Sequence, residues 1–208
     1  MEGGGLLTYI KKSLIFEKVK KQTKDATATQ TFVVKMSRNI WIEITNLYCP
    51  PATSQAHESI RLATETIPVG ARSLIAGDFN AHSILWDEIQ PQDARGTLIE
   101  DWVIDNDLTI LNDCSATRAS KAVNVNDATK GLSSPDVTLC GKSWRDKTTW
   151  TVDDPIGGSD HDPILIEVHS KIKHVKAFDK SACWKSRGVD WEAFKSAVEE
   201  KIADMDET

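Results

Sequence analysis

The sequence predicts a domain of mixed strands and a few helices, α/β or α+β in class, followed by a helical tail. Three observations predict it. Short runs rich in β-branched and aromatic residues, such as Thr31–Met36 and Thr148–Val152, recur along residues 1–170. Helical periodicity is confined to a few windows, the clearest placing Leu98, Ile99, Trp102 and Val103 on one face. Beyond residue 170 the chain turns basic and irregular before a last amphipathic stretch. With 208 residues, 40% of them hydrophobic and 27% charged, there is enough chain for one sizeable core.

The elements read as follows. Leu6–Ile10 and Leu14–Val19 are β-rich runs joined at Lys11-Lys12-Ser13, and the polar stretch Lys20–Gln30 reads as an exposed turn before the strand Thr31–Met36. Ile40–Tyr48 alternates Ile40, Ile42 and Ile44 with Trp41, Glu43 and Thr45, the period of a half-buried strand. Pro50-Pro51 ends it, because proline brings no N–H to the ladder. Ala56–Thr66 reads as a helix with Ile60, Leu62, Ala63 and Ile67 on its face. Ser73–Ala76 is a short apolar strand running into Gly77-Asp78-Phe79-Asn80. Thr97–Asn106 is the stronger helix and Leu108–Leu111 the strand after it. Ala116–Ser134 is polar without a period and reads as loop. Val137–Cys140, Thr148–Val152 and Ile164–His169 read as strands. Lys171–Arg187 is basic and irregular, and Asp190 caps a final helix over Trp191–Asp204.

Several classes are excluded. No apolar run approaches the ~20 residues of a membrane span. The start Met1-Glu2-Gly3-Gly4-Gly5 lacks the basic and apolar parts of a signal peptide. Cys49, Cys114, Cys140 and Cys183 form no C-x-x-C pair, which argues against a zinc knuckle and for a reduced intracellular compartment. A net charge of −6 by itself disfavours nucleic acid. The charge is uneven, however. Residues 1–40 carry eight basic and three acidic side chains, and residues 77–113 carry one basic and nine acidic. The acidic stretch reads either as a solvated helix or as a carboxylate-lined metal site.

Four segments could carry chemistry. Gly77-Asp78-Phe79-Asn80 ends an apolar strand, where α/β proteins place their sites. Asp78 offers a base or a hard metal ligand, and Asn80 lies two residues on, on the same side. Gly157-Gly158-Ser159-Asp160-His161-Asp162-Pro163 precedes another strand, with an imidazole for acid–base work and carboxylates for Mg²⁺. Asp136, after Ser133-Ser134-Pro135, could orient an imidazole through its ring N–H. Tyr48 ends the strand before Cys49-Pro50-Pro51. Each segment alone also reads as a turn or rim, since Gly, Asp, Asn, Ser and Pro are all turn formers. All four lie at strand ends, in the order Tyr, Asp-x-Asn, Asp, Asp-His.

That order resembles the endonuclease/exonuclease/phosphatase superfamily, which includes abasic-site endonucleases and pancreatic deoxyribonuclease. Within it the sequence is most similar to endonuclease domains of non-LTR retrotransposons. The similarity is carried by Gly3-Gly4-Gly5, Asn46-Leu47-Tyr48-Cys49-Pro50-Pro51, Ala76-Gly77-Asp78-Phe79-Asn80-Ala81-His82 with Trp86, Arg95-Gly96, Leu111-Asn112, Ser134-Pro135-Asp136-Val137-Thr138-Leu139 and Ser159-Asp160-His161-Asp162-Pro163. It covers residues 1–170 well and the tail, through Asp190-Trp191, loosely.

The resemblance implies an α+β four-layer sandwich, two mixed sheets packed face to face with helices outside. It implies an endonuclease that nicks DNA with Mg²⁺ or Mn²⁺, encoded with a reverse transcriptase, intracellular and working in the nucleus. Asp78 would position or deprotonate the attacking water, with Asn80 beside it holding water or metal. His161, oriented by Asp136, would stabilise charge on the scissile phosphate, and Tyr48 would donate a hydrogen bond to it. Asp160, with Asp78 and Asn80, would hold the metal, and Ser159, His82 and Trp86 would lie against substrate.

The family begins with a strand bearing an Asn, a helix and a strand bearing a metal-binding Glu, and none of these matches here. The expectation is an endonuclease domain over 1–170 without those first strands, then a linker and helical tail over 171–208. Two other readings stand beside the nuclease: a small-substrate phosphatase or pyrophosphatase of the superfamily, and a non-catalytic remnant.

Overall fold

A computed structural model of the chain describes residues 6–24, 27–51, 56–119, 131–155 and 158–169. The chain divides into two units, Met1–His174 and Val175–Thr208, and every described residue lies in the first. The expected helix Trp191–Asp204 and its cap Asp190 lie outside the described residues.

The elements in order are β1 (Phe16–Lys24), β2 (Thr27–Ser37), β3 (Ile40–Tyr48), α1 (Ala56–Thr66), β4 (Ser73–Asp78), α2 (Ala94–Asp105), β5 (Leu108–Ile110), β6 (Arg118–Ala119), β7 (Leu132–Ser133), β8 (Asp136–Gly141), β9 (Thr148–Val152) and β10 (Ile164–Val168). Six strands form one sheet in the order β1-β2-β3-β4-β8-β5. Only β3 and β4 run parallel among its hydrogen-bonded neighbours, joined by the crossover helix α1. β9 and β10 form a second, antiparallel ladder, and β6 and β7 a third of two residues each.

Alternation along the strands sorts the large sheet into two faces. Leu47, Ile75, Val137 and Leu139 pack with Ile60, Ala63 and Ile67 of α1 and Ile99, Trp102 and Val103 of α2. On the opposite face Phe32, Val34, Ile42, Leu74 and Cys140 gather around Trp144, with Ile166 and Val168 of β10 against them. Trp150 of β9 also reaches the large sheet, its indole N–H donating to Thr138 Oγ1 at 3.0 Å. Two sheets therefore face each other, with helices outside the larger one. This is the α+β sandwich, of which the described residues supply three layers.

Three expectations need correction. Lys20–Gln30 is no exposed turn: β1 and β2 pair out to Lys24 and Thr27, and Thr27, Ala28 and Thr29 are buried. Threonine is polar by composition yet β-branched, and it suits a half-buried ladder. Leu6–Ile10 is no strand. Gln30 Nε2 donates to Leu6 O, and Asn46 Nδ2 to Thr8 Oγ1, so side chains replace a backbone ladder there. The stretch Ala116–Ser134 contains β6 and β7, too short to leave a period.

Helix α2 starts three residues before its apolar face implies. Asp93 caps it, accepting from Gly96 N at 2.7 Å, and Arg95 and Gly96 of the first turn are buried. Gly96 is required there: a Cβ would sit 1.9 Å from His82 O.

Candidate active site

The site grows from the register of the large sheet. Tyr48 pairs with Asp78 across β3 and β4, and Asp78 pairs with Asp136 across β4 and β8. Residues directly opposite in adjacent strands project to the same face, their Cβ atoms roughly 5 Å apart. The three side chains thus form a row at the sheet end, on the face that also carries Leu74 and Cys140 toward β10.

Each residue of Gly77-Asp78-Phe79-Asn80 has a physical reason. A Cβ on Gly77 would stand 1.9 Å from Leu47 O, so only glycine lets β3 and β4 approach at this rung. Asp78 ends the strand and accepts Asn80 N on Oδ1 at 3.0 Å. Phe79 is fully buried and anchors the turn in the helix-side core. Asn80 adopts φ 46°, a left-handed conformation that Asn tolerates through its short polar side chain. Its Nδ2 donates to Cys49 O at 2.9 Å, a bond in which Oδ1 takes no part.

The loop before β10 brings the imidazole. His161 Nδ1 lies 2.8 Å from Asp136 Oδ2, and Thr117 Oγ1 donates to the same oxygen at 2.6 Å. The loop is pinned by Ser159, whose hydroxyl accepts from His161 N and donates to His161 O. Strand β6 then holds it from the other side, through Ala119 N to Asp160 O and Asp162 N to Thr117 O. The hydrogen bond to Asp136 raises the His161 pKa above the ordinary imidazole value, against a smaller opposing effect of burial. Burial, and next the Asp136 carboxylate, raise the Asp78 pKa. An imidazole and a carboxylate, both with enhanced proton affinity, therefore stand in one cleft, a pairing suited to acid–base chemistry.

Of the residues singled out by sequence, Tyr48, Asp78, Asn80, Asp136 and His161 meet at this sheet end. Asp160 follows differently: Arg118 holds its Oδ2 through Nε at 3.0 Å and Nη2 at 2.9 Å, and this hydrogen bonding keeps its pKa below the ordinary carboxylate value. Trp86, expected against substrate, is fully buried; its indole donates to Ala81 O at 3.2 Å, so it shapes the loop and touches nothing outside. His82 is partly exposed and bonded through Nδ1 to the buried Asp87 at 2.8 Å. Among the described residues no three His, Cys, Asp or Glu side chains converge as a metal cluster.

Supporting residues escaped the sequence reading. Arg95, only 2% exposed, donates to Pro50 O at 2.7 Å and Phe79 O at 2.6 Å, tying together the turns that follow β3 and β4. Asn112 takes the place of a strand residue beside β8, donating to Asp136 O and accepting from Thr138 N. Arg95 and Asn112 stood in motifs without an assigned role. Thr117 and Arg118 fell in the presumed loop, where no spacing marks them.

The family signature described as "Endonuclease-reverse transcriptase" matches residues 42–165. The endonuclease domain of TRAS1, a telomere-specific non-LTR retrotransposon, shares the fold with a TM-score of 0.58 at 23% identity, over 76% of this chain and 68% of that one. An AP endonuclease from Archaeoglobus fulgidus superposes with a TM-score of 0.49 at 14% identity, over 66% of this chain and 64% of that one. No curated protein sequence matches the chain.

Proposed function

The chain belongs to the endonuclease-reverse transcriptase family, within the endonuclease/exonuclease/phosphatase superfamily and its nuclease-type phosphodiester chemistry, and from that membership we propose that it nicks DNA in a divalent-metal-dependent reaction. The observation that carries the reading is the row Tyr48–Asp78–Asp136 closed by His161 at the mouth between the two sheets. A reverse transcriptase encoded with it is the proposed partner, and the nucleus the compartment where chromosomal DNA is met.

The donor chemistry fits a hard cation. Asp78 offers a carboxylate oxygen that Asn80 N does not take, and Asn80 offers Oδ1. Burial, and next the Asp136 carboxylate, raise the proton affinity of Asp78, a cost that a cation relieves. Mg²⁺ typically keeps several waters and uses one or two carboxylates with substrate phosphate. When bound, the cation neutralises charge on the phosphoryl and leaving oxygens.

The protein groups do the rest. Asp78 accepts the proton of the attacking water as its oxygen bonds to phosphorus. The P–O bond to the leaving sugar oxygen breaks, and that oxygen takes a proton from solvent. His161, with Nδ1 held by Asp136, keeps Nε2–H for a non-bridging oxygen, and the Tyr48 hydroxyl donates to the same phosphate. The His161 donor is fixed before charge develops, which is how such groups lower a barrier.

Supercoiled plasmid incubated with the protein tests the reading. Relaxed circles with Mg²⁺ or Mn²⁺, and none with EDTA, are the expected result. Phosphate release from nucleotides or inositol phosphates with the plasmid untouched would instead make it a small-substrate phosphatase.

A further inference from the structure

A pocket of about 230 Å³ opens beside this centre, lined by His82, Gln90, Arg118, Gly131, Leu132 and Ser133. Two of its side chains carry nitrogen donors, the Arg118 guanidinium and the His82 imidazole, and each is fixed by a carboxylate. His82 is held through Nδ1 by Asp87, which is itself completely buried and further anchored by Ser134 N, Ile89 N and Gln90 N. Four donors on one buried carboxylate make a rigid mount, and they leave the imidazole Nε2 as the ring nitrogen with work to do. Arg118 is 40% exposed and uses two donors on Asp160 Oδ2, while a guanidinium carries about five. Gln90 Nε2 donates to Leu132 O and closes the wall.

Two of its lining elements adjoin the reacting groups. Arg118 forms a β-bridge with His161, and Leu132 and Ser133 lead through Pro135 into Asp136. Among the described residues the lining offers nitrogen donors from His82, Gln90 and Arg118.

We propose that His82, mounted on Asp87, and Arg118 form a second anion subsite, which holds a phosphodiester of the DNA strand neighbouring the scissile one. The proposal rests on the nuclease reading and deepens it. It explains why a buried carboxylate holds a partly exposed histidine in a region otherwise rich in acids. Two phosphates gripped at once fix the direction of the strand across Asp78 and His161, and phosphate contacts are what set register in such complexes.

Binding of the full chain to a short fluorescent DNA duplex, followed by anisotropy with EDTA present, tests it. His82→Ala should weaken binding roughly tenfold, the worth of one hydrogen bond to a charged group. Arg118→Gln should flatten the dependence of log K on log salt by about 0.9, one phosphate contact. Ser133→Asp, which adds a carboxylate to the wall without disturbing Asp87, should also weaken binding, and it serves if either other variant melts early. Unchanged affinity and salt slope in folded variants, with wild-type protein binding and nicking DNA, would overturn the subsite alone. Wild-type protein that binds no duplex even at low salt would overturn the subsite and the nuclease reading together.

Discussion

At the scale of single residues, the His161–Asp136 pair is the feature with the plainest consequence. Folded His161 binds its proton more tightly than it does in the unfolded chain, because Asp136 accepts from Nδ1. The pair's contribution to stability is then complete below the unfolded imidazole value of about 6.5, and it is lost as pH rises through the higher folded value. Histidine NMR on the metal-free protein should give His161 a midpoint above that value, and Asp136→Asn should lower it. A midpoint unmoved by Asp136→Asn would remove Asp136 from its orienting role. Asp78 carries the opposite lesson. Burial and the neighbouring carboxylate make its charged form costly, so Asp78→Asn should raise the melting temperature of the metal-free protein. A lower melting temperature would mean that the ionised carboxylate is a structural partner rather than a reactive group.

At the scale of elements, the site depends on turns locked from behind. Arg95 satisfies Pro50 O and Phe79 O from within the core. Arg95→Met strands both carbonyls and should cost about 3 kcal/mol in urea unfolding. Gly96→Ala forces a methyl into His82 O and should cost about 2–3 kcal/mol by overpacking. These dependencies also mark what the sequence could and could not reveal. Ile40–Tyr48, Ala56–Thr66 and Thr148–Val152 were legible because their apolar spacing survives to the fold unaltered. The strand end at Asp78 and the Asp136–His161 pair were legible because few residue types do such chemistry. The first turn of α2 was not, since a buried Arg-Gly follows from contacts with other loops. Thr117 and Arg118 were not, because their partners lie 19 and 42 residues away in sequence. Trp86 misled for a related reason, as an aromatic in a reactive motif serves the core as readily as the substrate.

At the scale of the molecule, the two sheets leave Asp78, Asn80, Asp136 and His161 at one common mouth, while both cores lie behind them. Mg²⁺ binding to the folded form should stabilise it by about 2.7 kcal/mol at a hundredfold excess over its dissociation constant. Asp78→Asn should abolish that gain, which thermal melting in a Mg²⁺ titration reads directly. The central claim is that Asp78 and His161 together perform phosphodiester cleavage. Its most direct test is the single-turnover rate of plasmid nicking in Mg²⁺ by wild-type, Asp78→Ala and His161→Ala proteins. The account predicts a loss of roughly 10²–10⁴-fold in each variant, the range of a positioned acid or base. Nicking that continues at the wild-type rate in both would contradict it.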